Sequence, residues 1–408
     1  MQNSQQTDVI RAANSLELLN ILRAQQPISR SGIRDFTTLS AASITNITTA
    51  LLEAGVIRVA EADEPSKAQI GRPRALLALN PDVGLLASVF IAFPGIGVEV
   101  VDYAGSVVGQ ASSAADVTSL DAAQLTDQVA ALVEEALDDQ PAALWKTILT
   151  TQGVTTADNR ALLWSPTLFD DALGFVGLLA ERLNTEVEVH NDTKMQVFGL
   201  HDAKRDAGQS QGVVLLSYGV GLGLYLNGDL FRSATSSASE MGHMPYITGG
   251  AKCRCGKLGC VEAYASDYAI LRAARGLPEG ELIADDLTED DVEQILNRAK
   301  TTDGPERRAL EQAAKALGFA LASVFSLFDV FPVLFAGKAA RFLDYMEPQL
   351  RLTLRENFRA RTRTNFEFDV VLDDRQLTLD GARKKLLSLA DQELSRQRPN
   401  PTPFPAPL

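Results

Sequence analysis

All three cysteines of this 408-residue chain fall within eight positions, Cys253-Arg254-Cys255-Gly256-Lys257-Leu258-Gly259-Cys260. His243, one of only three histidines, stands ten residues before the first of them. Three thiolates and an imidazole complete the tetrahedral sphere of a structural zinc ion, Zn2+, and Gly256 and Gly259 let a short loop wrap it. A redox pair is the functional rival, although its usual two-residue spacing is absent. Three unrelated buried thiols are the bland alternative, in a chain with no other cysteine. Four protein ligands leave no open position for a catalytic water, so the expected metal shapes a loop and does no chemistry. Glu240 precedes His243 by three residues and Glu262 follows Cys260 by two. Held by that loop, the two carboxylates suit the vicinal hydroxyls of a sugar; without it they read as solvated surface acids.

Glu240-Met241-Gly242-His243-Met244, followed by Cys253 through Glu262, resembles the signature of the ROK family (repressors, open reading frames, kinases). Trp164-Ser165-Pro166, Asn191-Asp192 and Gly219–Gly223 agree in order, so the resemblance spans nearly the whole chain. It implies an α/β chain with the two-lobed, actin-like ATPase fold of sugar kinases, preceded by a winged helix-turn-helix, with a sugar between the lobes. In the family's kinases an Asn-Asp pair supplies a sugar contact and the catalytic base, matching Asn191 and Asp192. The Glu and His of its Glu-x-Gly-His motif match Glu240 and His243, and a later sugar-binding Glu matches Glu262. Where the family usually carries Ser-Pro-Asn, this chain has Ser165-Pro166-Thr167, so Thr167 keeps a hydroxyl and loses the amide's reach.

The nucleotide side departs further. Kinases of the family open their first lobe with Asp-x-Gly-Gly-Thr, which orders magnesium and cradles phosphate. Here the stretch is Phe90-Ile91-Ala92-Phe93-Pro94, whose rings are expected to occupy the space of phosphates. Gly219-Val220-Gly221-Leu222-Gly223 keeps its glycines without the usual threonine, and a tight turn is a sufficient role for them. The expectation is therefore a regulator without enzymatic activity, a sugar-responsive repressor. Its partners would be operator DNA, a sugar or sugar derivative, and a second copy of itself, as a homodimer or a dimer of dimers. A sugar kinase with an added N-terminal domain, or a regulator controlled by a protein partner, are the alternatives.

The elements that must position these residues divide the chain at about residues 80, 190 and 375. Residues 1–80 read as three helices and a hairpin, the order of a winged helix-turn-helix. Leu16, Leu19 and Leu22 give the first helix, from about Ala13 to Ala24, an apolar stripe. Ser29 and Ser40 are N-caps of the next two, and Gly55 ends the third. Ile44, Ile47 and Leu51 form its buried face. Ser40, Ala42, Ser43, Thr45 and Asn46 present small and amide groups able to approach base edges, and Arg72 and Arg74 flank a proline at the wing tip. A small helical packing domain is the competing reading. Residues 81–190 form a first α/β lobe, completed by a helix near 376–395. Residues 191–375 form a second lobe with the metal loop, and the proline-rich end, 396–408, is expected to lack order. No internal repeat is evident.

Composition is that of an ordinary globular chain, with 46% hydrophobic and 22% charged residues. The net charge of −14 argues against nucleic acid as a partner of the whole surface. Its distribution differs, with residues 1–80 at +1 and the rest at −15. The longest apolar stretch, Ala316 to Gly337, is broken by Asp329 and Pro332, which predicts a buried helix feeding a buried strand and no membrane span. With three cysteines and no charged-apolar leader, a cytoplasmic location is expected.

Overall fold

A computed structural model describes residues 2–60, 75–92, 95–138, 144–168, 172–200, 208–231, 239–283, 287–358 and 365–396. Leu18, Leu19, Ile21 and Leu22 are buried along α1 (Gln2–Gln25), which begins a full turn and more before the expected Ala13. β1 (Ile28–Ser29) leads into α2 (Arg30–Ile33), where Ser29 Oγ accepts from Gly32 N. In α3 (Ala41–Glu53) Ser40 Oγ accepts from Ser43 N, and Ile44, Ile47 and Leu51 are buried as expected. Gly55, at φ +69°, ends it. β2 (Ile57–Val59) and β3 (Leu76–Leu79) pair antiparallel, and β1 adds to the other edge of β3. That third strand is too short to carry a periodicity in the sequence. The wing tip with Arg72 and Arg74 lies outside the described residues.

The first lobe contains β4 (Leu85–Ala92), β5 (Gly95–Asp102), β6 (Val107–Ser113), α4 (Ala122–Leu137), β7 (Leu144–Thr151), β8 (Val154–Thr155), β9 (Leu162–Trp164), α5 (Phe175–Leu183) and β10 (Glu186–Asn191). Its sheet runs β10-β7-β4-β5-β6. β6 is an edge strand with only Ala111 buried, which is why no alternation announces it. α6 (Asp192–Leu200) crosses to the second lobe. There stand β11 (Gln211–Leu216), β12 (Val220–Leu226), β13 (Asp229–Leu230), α7 (Glu262–Ala265), α8 (Asp267–Ala274) and α9 (Glu289–Thr301). α10 (Pro305–Phe328), β14 (Val333–Ala336), α11 (Leu343–Asn357) and β15 (Phe368–Val371) complete it, with sheet order β13-β12-β11-β14-β15. Each sheet is an antiparallel three-stranded meander extended by two parallel strands, so one topology occurs twice although the sequence displays no repeat. Among the described residues no helix is long and apolar enough to cross a membrane.

The last helix, α12 (Asp374–Arg396), returns to the first lobe. β4 alternates its faces: Leu85, Ala87 and Val89 join the core under α4 and α5, whereas Leu86 faces α12. Leu86, Val101 and Tyr103 share one core with Leu386 and Leu394 of α12 and with Leu18, Ile44 and Leu77 of the N-terminal segment. The boundary at residue 80 is thus one of topology and not of packing. α12 and α6 cross at glycines, where a Cβ on Gly381 would come 1.8 Å from the carbonyl oxygen of Met195.

At the far end of α12, Asp391 is fully buried and receives Arg23 Nε and Nη2, both at 2.8 Å, and Tyr103 Oη at 2.6 Å. Burial and the Asp391 carboxylate hold the Tyr103 phenol well above its usual range. Removing one member of a buried pair strands the other, so Asp391→Ala should lower unfolding free energy in urea by about 3–5 kcal/mol. An unchanged urea midpoint would show that this clamp adds nothing to the junction.

Candidate functional site

The ligand atoms of His243, Cys253, Cys255 and Cys260 all lie within 4.8 Å of one another. Cys253 Sγ is 3.7 Å from His243 Nδ1, and Cys255 Sγ is 3.8 Å from Cys260 Sγ. Tetrahedral Zn–S bonds of about 2.3 Å require sulfur–sulfur edges of about 3.8 Å, so the donors stand at coordination spacing. Bridges between Pro245 and Cys260 and between Lys252 and Leu258 close the loop, and Gly256 and Gly259 take left-handed φ values of +87° and +81°. Burial pushes the Cys253 thiol up, and that of Cys260 to about 11. A divalent cation is the group that would draw off those protons. His243 Nε2 points the other way, 3.8 Å from Glu240, so one ring serves both the metal loop and the cleft.

Glu262 opens α7 directly behind the loop. Its Oε2 accepts from Val220 N at 3.2 Å, and its Oε1 lies 3.3 Å from Cys253 Sγ. The carboxylate is therefore held between the metal loop and the start of β12. The glycines expected to form a tight turn are mostly strand: Gly221 and Gly223 belong to β12. A Cβ on Gly223 would come 2.2 Å from the Thr193 carbonyl oxygen, so glycine there lets the first turn of α6 press against the sheet.

That close approach brings Asn191 and Asp192 to the same pocket. Asn191 Nδ2 donates to Gly153 O at 3.1 Å, and its Oδ1 accepts from Thr193 Oγ1 at 2.6 Å. Asp192 is 4% exposed, and its Oδ1 accepts from Thr193 N at 2.8 Å. Burial, aided by the charge of Asp374, raises its carboxyl to about 7. Asn191, Asp192, Glu240, His243 and Glu262 all line a small pocket of about 60 Å³. Thr167 does not. It is 2% exposed and donates its N–H to Ser165 Oγ at 3.2 Å, a local turn that draws residue 167 inward. Trp164 and Pro166 line that wall instead, Trp164 standing edge-on to His243 at 5.9 Å. Sequence reading also missed Gln152 and Gly153. Their signal was position, since they follow the carboxyl end of the parallel strand β7, where open α/β sheets bind ligands.

Asp192 and Gln152 also line a second, larger cavity of about 470 Å³ at the mouth of the cleft. Of the rings expected in this space, only Phe90 falls among the described residues. Phe90 lines it but is 9% exposed, and Phe93 and Pro94 lie outside the described residues. Lys338, Arg341 and Arg375 line it, and a Cβ on Gly97 would collide with the Arg375 guanidinium. No residue of α3 lines either cavity, and the helix exposes Ala42, Thr45 and Asn46. The hydroxyls of Ser40 and Ser43 are engaged at its N-terminus, and that of Thr45 donates to Ala41 O. Asn46 has the exposed amide on that face.

A family model described as the ROK family matches residues 97–375. The chain is 23% identical over 382 residues to the xylose repressor of Caldicellulosiruptor bescii, covering 91% of this chain and 94% of the relative. It is 24% identical over 367 residues to the DNA-binding transcriptional dual regulator NagC of Escherichia coli K12, covering 88% of each. A crystal structure of a ROK family transcriptional regulator, a homologue of the E. coli MLC protein, matches 95% of this chain and 99% of its own at TM-score 0.74 and 21% identity. A ROK family glucokinase from Streptomyces griseus, in complex with glucose and AMPPNP, matches 74% of this chain and 99% of its own at TM-score 0.58 and 23% identity. These likenesses establish the two-lobed, sugar-kinase-like fold.

Proposed function

The chain belongs to the ROK family, and we propose that it is a sugar-responsive transcriptional repressor of carbohydrate genes, binding operator DNA through its N-terminal winged helix. The observation that carries this reading is α12. Asp374 and Arg375 at its start line the cleft, and Asp391 near its end grips Arg23 of α1. A sugar that binds one cleft geometry better than another would bias this helix, and with it the placement of α3. Asn191, Asp192, Glu240, His243 and Glu262 would take the sugar hydroxyls, and a structural zinc would hold the last three in register. Two copies would set two recognition helices on a two-fold operator. The setting is the cytoplasm, where DNA and sugar meet.

The test is selection of DNA from a random pool by the full chain, followed by operator affinity measured with and without a panel of sugars. Asn46→Ala should change the preferred bases, with about 1–3 kcal/mol of lost discrimination, whereas Arg72→Ala or Arg74→Ala should weaken all sequences alike. Cutting the chain at residue 81 is a poor substitute, because it uncovers Leu86, Val101 and Tyr103. If no sugar changes operator affinity, the effector reading fails.

Asp192 adds a pH signature. Its folded carboxyl is raised to about 7, so it favours the folded state fully below its unfolded value and loses that contribution as pH rises through 7. An ionised carboxylate is the stronger acceptor for a sugar hydroxyl, since charge-assisted hydrogen bonds are about twice as strong as neutral ones. Sugar affinity should therefore increase about tenfold between about pH 6 and pH 8, with proton release, as calorimetry in two buffers would measure. Asp192→Asn should flatten that profile.

A further inference from the structure

On α8, Arg272 is 2% exposed, and Nη2 of its guanidinium donates to Ala263 O at 2.7 Å. Nη1 is buried with no hydrogen-bond partner, and the side chain forms no ion pair among the described residues. Glu279 acts on it only at longer range. Buried cations are ordinarily matched by a carboxylate, and this one is not. Beside it a cavity of about 380 Å³ opens between α8 and the start of α10. Arg308 and Glu279 stand there as exposed charges, and Leu277, Pro305 and Tyr264 supply apolar wall. None of its lining residues belongs to either cavity of the cleft.

We infer that this cavity is a binding site for a small organic oxyanion, its charged end taken by Arg272 and Arg308 and its apolar body by Leu277 and Pro305. The volume falls in the range of about 300–1,000 Å³ common to small-molecule pockets. Two guanidinium groups against one carboxylate leave a surplus positive charge, which selects anions over neutral ligands. The location gives the site a purpose. Arg272 holds the carbonyl of Ala263, next to Glu262, and the Tyr264 hydroxyl accepts from Ala251 N at 2.8 Å on the metal loop. An anion there would touch both groups that steady α7, so it would change how firmly Glu262 is presented to the cleft.

Benzoate and phenyl phosphate share one apolar ring and differ in the oxyanion, so titrating the full chain with each separates carboxylate from phosphoryl recognition. Saturable binding of at least one, at one site per chain and constant ionic strength, is expected. Arg308→Glu should weaken it about tenfold or more, and Glu279→Gln should tighten it several-fold, by removing a repelling charge a few ångströms from the oxyanion. Both side chains are exposed, so both variants should fold. Lack of saturation by either probe at millimolar concentration would overturn the site. So would binding that both variants leave unchanged while Arg375→Ala abolishes it, because the anion would then be in the cleft.

Discussion

Replacing Cys255 with serine is expected to strip the purified chain of its zinc and abolish the response of operator affinity to sugar, while the winged helix stays folded. The wild-type chain should carry about one zinc, set by the four donors. Metal binding to such a set in small zinc domains is worth about 10–16 kcal/mol, most of which is free energy of ordering the loop. Backbone hydrogen bonds such as Cys253 N to Lys257 O and Gly259 N to Ala251 O should keep the loop's outline, so the loosening is expected at the donor side chains. Loosening them frees Cys253 from its contact with Glu262 Oε1 and leaves His243 unanchored beside Glu240. The damage should stop there, because the core of the second lobe shares no residue with the core beneath the N-terminal segment. Elemental analysis of freshly purified protein tests the first half, and circular dichroism with DNA binding the second. Wild-type protein without metal would sink the assignment.

Incubated with Mg-ATP and its best-binding sugar, the protein is expected to form no sugar phosphate, against the roughly 1–100 turnovers per second of typical kinases. The cavity at the cleft mouth carries cations, Lys338, Arg341 and Arg375, so positive charge is not what is missing. Phosphoryl transfer depends on groups that hold the phosphates in line. The strand end that should supply them, Phe90-Ile91-Ala92, offers no side-chain hydroxyl, carboxylate or glycine pair. Asp192 is placed to act as a base, yet a base beside an unheld phosphate accelerates nothing useful. Product at kinase rates would overturn the regulator reading. Sugar binding without product, coupled to operator affinity, would support it.

The metal donors were legible because they lie within a single short loop, where spacing alone brings side chains together. The helices and caps of the N-terminal segment were legible for the same local reason: Ser29, Ser40 and Gly55 act on neighbours three or four residues away. β6 and β1 were not, since an exposed edge and a two-residue pairing leave no periodic trace. The pocket was half legible. Asn191, Asp192, Glu240, Glu262 and Trp164 belong to motifs, whereas Gln152 and Gly153 reach the pocket only because β8, which follows them, pairs with β9 beside Trp164. Thr167 went astray because a hydrogen bond to Ser165, two residues back, turned it into the interior.

Residue types and local spacing thus determined a loop of four donors able to hold a metal, the N-terminal helices with their caps, and alternating strands and helices, all features whose energies are settled within a few residues. Tertiary structure alone decided that the N-terminal segment shares a core with the first lobe, that two sheets repeat one topology, and that α12 connects the cleft to the N-terminal segment. Those depend on contacts between residues such as Arg23 and Asp391, separated by 368 positions. No spacing rule reaches that far, because the pairing is set by the shape of everything packed between them.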